Sequence, residues 1–77
     1  NSKISSSAKI SGASAIGNNV TIGANVEISA SIIRDGVTIA EGCKLENVFV
    51  EANTMVLEKT QASGAYLADG EIIPLKL

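Results

Sequence analysis

Histidine and tryptophan are absent from the 77 residues, and cysteine, proline, methionine, tyrosine and phenylalanine occur once each. Without histidine, no side chain titrates near neutrality unless its environment shifts it, so the usual general base and the commonest metal ligand are both missing. The lone Cys43 cannot close an internal disulfide, and no Cys/His cluster has metal-ligand spacing. A disulfide-stapled secreted scaffold and a zinc module are therefore excluded. Six Lys+Arg against eight Asp+Glu leave a net charge of −2, with no basic field to hold a nucleic-acid backbone or an anionic membrane. No apolar run approaches the roughly 20 residues of a membrane span, and no signal-peptide core is present. The expectation is one cytoplasmic domain over residues 1–77, with no cofactor, no metal and no catalytic residue of its own.

What is present is aliphatic. Apolar residues make up 45% of the chain but aromatic ones only 3%, whereas a small core normally relies on rings to bury area in few side chains. Ile, Val, Leu and Ala suit a narrow interior in which similar side chains stack in rows, which directs attention to repeats. Ile4, Ile10, Ile16, Ile22 and Ile28 recur every six residues; after a step of five the series resumes as Ile33, Ile39 and Leu45, and after another as Val50 and Val56. Two residues before each stands a small or β-branched companion: Ala8, Ser14, Val20, Val26, Ser31, Val37, Cys43, Val48 and Thr54. Two inward residues separated by one outward residue make a short β-strand, not a helix. Asn19, Asn25, Gly36, Gly42 and Asn53, each three residues before a main aliphatic, tolerate positive φ and mark corners.

The steps of five lie 17 residues apart, so three strands form one coil of the chain. Residues 4–57 hold the regular repeats. Extending the period through 58–73 predicts inward positions at Ala62, Leu67 and Ile73, a weaker fourth coil, followed by a tail over 74–77 that starts with Pro74, which lacks a donor. A competing reading places a two-residue turn at Asp69-Gly70, with Tyr66-Leu67-Ala68 and Glu71-Ile72-Ile73 forming a hairpin.

Ile16-Gly17-Asn18-Asn19-Val20-Thr21, Ile22-Gly23-Ala24-Asn25-Val26-Glu27 and Ile39-Ala40-Glu41-Gly42-Cys43-Lys44 resemble the hexapeptide repeat of bacterial transferases. That resemblance implies an all-β fold, a left-handed parallel β-helix of triangular section, here of about four coils. The handedness is implied by the resemblance alone, since crossovers elsewhere are right-handed.

Stacked coils align every seventeenth residue, so outward positions form ladders. Lys9, Glu27, Lys44 and Gln61 make a charged ladder that reads as a solvated face. Thr21, Thr38, Met55 and Ile72 make a second, and Ala15, Ile32, Phe49 and Tyr66 a third. The third points both rings of the chain outward. Contiguous exposed apolar residues mark a contact, so Ile32, Phe49 and Tyr66 are candidate interface anchors, with Arg34 and Glu51 pairing across coils beside them. A stacked Phe49–Tyr66 pair with no partner is the competing reading. Cys43, at an inward companion position, reads as core. Asp35, Glu41, Glu51 and Asp69 at or beside corners read as solvated, and Gly17 and Gly23 lack the context of a phosphate loop.

The run from Ser31 to Val50, with its five-residue step Glu46-Asn47-Val48-Phe49-Val50, is similar to the C-terminal β-helix of sugar-1-phosphate nucleotidyltransferases. The resemblance implies that catalysis belongs to an N-terminal nucleotide-binding domain and that this piece supplies assembly contacts and sometimes regulation. The implied partners are further copies, as dimer or trimer, or that N-terminal domain. A first residue other than Met, and an uncapped first strand, agree with a piece of a larger protein. Ser63-Gly64-Ala65-Tyr66-Leu67-Ala68-Asp69-Gly70 is closer to the last coil of hexapeptide acyltransferases, which keeps open the C-terminal part of a trimeric acyltransferase with its histidine upstream. A structural spacer is the third reading.

Overall fold

The computed structural model describes residues 2–68 and 71–74. The first coil comprises β1 (Lys3–Ile4), β2 (Lys9–Ser11) and β3 (Ala15–Ile16); the second, β4 (Thr21–Ile22), β5 (Glu27–Ser29) and β6 (Ile32–Ile33). The third comprises β7 (Thr38–Ile39), β8 (Lys44–Glu46) and β9 (Phe49–Val50); the fourth, β10 (Met55–Val56), β11 (Gln61–Ser63) and β12 (Ala65–Ala68). One more strand, β13 (Glu71–Pro74), follows. No helix occurs among the described residues. Strands from successive coils pair in parallel into three sheets, β1-β4-β7-β10, β2-β5-β8-β11 and β3-β6-β9-β12, and β13 joins the last of these. The fold is a parallel β-solenoid of about four coils, the architecture of the left-handed parallel β-helix.

Strands of two to four residues cannot stand alone; each is held by the coil next to it. Lys3, Thr21 and Thr38 donate their amides to the carbonyls of Val20, Val37 and Thr54 at 2.7, 2.9 and 3.0 Å, one rung after another. Pairing is in register, Ile22 with Ile39 and Ile39 with Val56 on one sheet, Ile28 with Leu45 on the next, and Ile33 with Val50 on the third. The core is therefore three columns of aliphatics with their companions. Val20, Val26, Val37, Cys43 and Val50 are fully buried, and Cys43 donates its thiol to the Leu57 carbonyl at 3.0 Å.

Ile4 and Ile10 hold the inward register, opposite Ile22 and Ile28, but are 46% and 36% exposed because β1 and β2 are paired on one side only, with β4 and β5. One inward expectation needs correction. Ile73, expected inside a continuing fourth coil, is 47% exposed. β11 and β12 complete that coil, and then β13 pairs antiparallel with β12, placing Ile73 opposite Tyr66 and Ile72 opposite Leu67. The parallel period would have put Glu71 inward as a companion, and a carboxylate in an aliphatic interior is costly. Antiparallel pairing leaves Glu71 exposed instead. The expected turn residues Asp69 and Gly70, and the tail beyond Pro74, lie outside the described residues.

All five corner residues named from the sequence have positive φ, from 58° at Asn19 to 76° at Gly42, and Ala30, Asn47 and Lys59 share the conformation. Gly23 serves a different purpose. A Cβ there would lie 2.9 Å from the Glu41 amide nitrogen and 3.1 Å from the Ala40 carbonyl carbon, both backbone atoms of the next coil. Gly23→Ala is expected to cost about 1–3 kcal/mol by forcing two coils apart, measured as a lower urea midpoint at unchanged slope.

Candidate functional site

Each strand of the triangular section presents outward residues on one face, and the three faces differ in chemistry. On the first, Lys3, Thr21, Thr38 and Met55 align. Ile72, expected to continue this ladder, instead sits opposite Leu67, because β13 reverses direction. On the second face, Lys9, Glu27, Lys44 and Gln61 align beside Ser11, Ser29, Glu46 and Ser63. These two rows wall a shallow trough of about 600 Å³. Its lysines and glutamates are exposed and close no salt bridge, as befits a solvated face.

The third face carries the sequence-derived candidates. Ala15, Ile32, Phe49 and Tyr66 align in register, and β13 adds Ile73 beside Tyr66. Ile32 is 45% exposed, while Phe49 and Tyr66 are half-buried against each other. The two rings stack with centroids 5.4 Å apart and planes inclined by 17°. Their registration follows from backbone pairing, Tyr66 directly opposite Phe49 on neighbouring parallel strands. Stacking of this kind contributes about 0.5–1.5 kcal/mol beyond the area it buries.

Arg34 and Glu51 follow the same strands by one residue and close the group into a ring of contacts. The Tyr66 hydroxyl donates to Glu51 Oε2 at 2.7 Å, and Arg34 Nη1 lies 3.8 Å from Glu51 Oε1. The Arg34 guanidinium carbon stands 5.9 Å from the centre of the Phe49 ring, within cation–π range. The structure thus brings together all five residues singled out from the sequence, Ile32 at the rim and the other four in mutual contact. It adds Ile73, which the 17-residue period had placed inside; the competing hairpin, continued past its turn, carries the signal that puts Ile73 outward.

Electrostatically the cluster is anchored on Glu51. Its carboxyl is held below its ordinary value, first by the hydrogen bond from Tyr66, then by the Ala52 amide and more weakly by Arg34, with partial burial opposing them. A carboxylate whose pKa is lowered by folding contributes stability above its unfolded value, and that contribution is lost as pH falls through the lowered one. The cluster is therefore intact at neutral pH and loosens on the acid side. Hydrogen bonds occupy both oxygens of Glu51, Oε1 accepting from the Ala52 amide and Oε2 from the Tyr66 hydroxyl. Among the described residues, no group of three His, Cys, Asp or Glu side chains comes together to hold a metal ion. Nor is any helix long and apolar enough to cross a membrane.

The order of these influences is measurable. Tyr66→Phe is expected to raise the Glu51 pKa back toward 4.5, and by more than Arg34→Ala does, in an NMR titration of the side-chain carboxyl carbon. Equal shifts, or a larger one from the arginine, would assign the anchoring to charge rather than to the phenol.

Comparison with known proteins agrees with the repeat geometry. The family described as GlmU-like, C-terminal hexapeptide matches residues 1–71, from the first strand to the start of β13. No curated protein and no solved structure matches the chain significantly. Spacing, stacking and family match coincide over the same residues, and the chain belongs to the GlmU-like C-terminal hexapeptide family.

Proposed function

We propose that this chain is the non-catalytic assembly domain of a cytoplasmic sugar-1-phosphate nucleotidyltransferase-like enzyme, and that it joins to a second copy of itself through the aromatic face. The observation that carries this reading is the row Ile32, Phe49, Tyr66 and Ile73. Among the described residues it is an outward apolar row continuous over four strands, and such rows serve contacts.

Three features support the division of labour. The chain has no histidine, so a general base poised near neutrality would have to come from elsewhere. The matching family is described by a C-terminal position, which leaves room in this proposal for an N-terminal domain. The Tyr66 hydroxyl is already bonded to Glu51, and the half-exposed Arg34 and Glu51, 3.8 Å apart, flank the row and can keep water at the edge of a contact. An isologous contact would place the two rows against each other, with the rings at the centre and Arg34 and Glu51 at the rim.

The reading of an acyltransferase C-terminal part rests on the segment 63–70, and oligomeric state separates the two. Sedimentation of the chain is expected to show a concentration-dependent dimer that Phe49→Ser/Tyr66→Ser dissolves while β-rich circular dichroism is retained. A trimer dissolved by the same change would favour the acyltransferase reading. A folded monomer indifferent to the change would remove self-association through this face and leave docking against an N-terminal domain.

A further inference from the structure

Outward positions on the aromatic face form two columns. The first is the apolar row Ile32, Phe49, Tyr66 and Ile73, with Ala15 before it. The second lies two residues further along each parallel strand, at Gly17, Arg34, Glu51 and Ala68. Gly17, Arg34 and Glu51 donate their amides to the Ile33, Val50 and Leu67 carbonyls at 2.8, 3.0 and 2.9 Å, so the ladder still holds them in register. β13 extends this column with Glu71, opposite Ala68. Each rung therefore couples a row residue to a second one: Ile32 with Arg34, Phe49 with Glu51, Tyr66 with Ala68 and Ile73 with Glu71.

This grid restricts how two copies can meet through the face. A two-fold that closes the contact lies in its plane, and two orientations keep rungs facing rungs. An axis along the solenoid lays the first column of one copy on the second column of the other. Ile32 then faces Arg34 and Phe49 faces Glu51, which desolvates charges against apolar groups. An axis along the strands reverses the order of the rungs and lays like columns on each other, and its position then decides the outcome. Centred on the Ile32 rung it opposes Arg34 to Arg34; centred on the Phe49 rung, Glu51 to Glu51; centred on the Tyr66 rung, Glu51 to Glu71. Like charges so placed work against association. Centred between the Ile32 and Phe49 rungs, it leaves Ile73 outside the contact. Centred between Phe49 and Tyr66, it passes through the middle of the row and covers all of it.

Resting on the assembly proposed through this face, we infer that the two solenoids pack antiparallel, about a two-fold axis that runs along the strands between Phe49 and Tyr66. Phe49 lies on the partner's Tyr66, Ile32 lies on the partner's Ile73, and Arg34 pairs with the partner's Glu71. Ile32 and Ile73, 45% and 47% exposed in the single chain, are thereby covered. Glu51 faces the partner's Ala68, so its bonds from Tyr66 and Ala52 are kept. Glu71 is exposed and closes no ion pair among the described residues. The Arg34 side chain is 53% exposed and stands 3.8 Å from Glu51, far enough to reach a second carboxylate without losing a close bond. Shape and apolar cover come from the row; register and direction come from the charge pair.

Arg34→Glu and Glu71→Arg each set like charges against each other when a variant pairs with itself, and opposite charges when the two variants pair together. By sedimentation, each alone is expected to raise the dimer dissociation constant at least about tenfold. An equal mixture of the two, and the double variant R34E/E71R, are expected to restore it. A second readout does not depend on charge. A bismaleimide spanning the roughly 10 Å between packed sheets is expected to link Ile32→Cys to Ile73→Cys in a mixture and to link neither variant to itself, while Cys43 stays buried. If Phe49→Ser/Tyr66→Ser dissolves the dimer but mixing restores nothing, the face assembles in another arrangement: this inference is overturned and the assembly reading stands. Self-linked Ile32→Cys has the same meaning, as does restoration by Glu51→Arg in place of Glu71→Arg, which moves the axis between Ile32 and Phe49. A chain monomeric at every concentration overturns both.

Discussion

Backbone pairing between coils is the interaction on which everything else in this molecule rests. Among the described residues no strand exceeds four residues, so no strand and no single coil could bury enough surface to be stable by itself. Stability arises between neighbours, as in other solenoids. Pairing in register also shapes composition: columns such as Ile22, Ile39 and Val56 place like on like. Aliphatic richness follows from that one constraint. The two rings the chain does possess stand on the outside, and parallel register stacks them on each other.

Corners are the second requirement, and they explain which positions are free to vary. A left-handed backbone conformation costs a non-glycine residue about 1–2 kcal/mol, yet Ala30 and Lys59 adopt it. Both donate their amides across the stack, Ala30 to the Ser11 carbonyl at 3.2 Å and Lys59 to the Glu41 carbonyl at 2.9 Å, so the neighbouring coil helps to fix the bend. Asp35 adds a side-chain version of the same link by accepting the Asn18 amide at 2.8 Å. The corner carboxylate that looked merely solvated in the sequence is thus part of the stacking.

Most of the fold was legible because one period governs it. Spacing alone located the strands, the inward columns and the in-register ladders, including the placement of Ile32, Phe49 and Tyr66 on one face. It failed where a local preference overrode the period. Ile72 and Ile73 were assigned by counting in seventeens, but the antiparallel return of β13 exchanges their faces, since a change of one residue in strand parity moves a side chain to the other side of a sheet. Glu71 was the warning, a carboxylate at an inward position. The hydrogen bond from Tyr66 to Glu51 was out of reach for a different reason: register gives the face a residue is on, and the contact depends on how a long side chain leans along it. The unpartnered hydroxyl of Thr54 was equally hidden, because a threonine at a companion position looks like any other until β13 is found to turn back antiparallel and not to stack on it.

Inward and outward positions therefore answer to different demands. The inward columns are set by stacking, each aliphatic lying opposite its counterpart in the next coil. The outward ladders are under no such constraint, which is why three faces of one small prism can carry threonines, alternating charges and an apolar row. A fold shared across a family then says little about partners, whereas a single outward ladder says a good deal. On this reasoning the aromatic face is read from its own row: parallel register puts Ile32, Phe49 and Tyr66 there, and the antiparallel return of β13 adds Ile73 beside them.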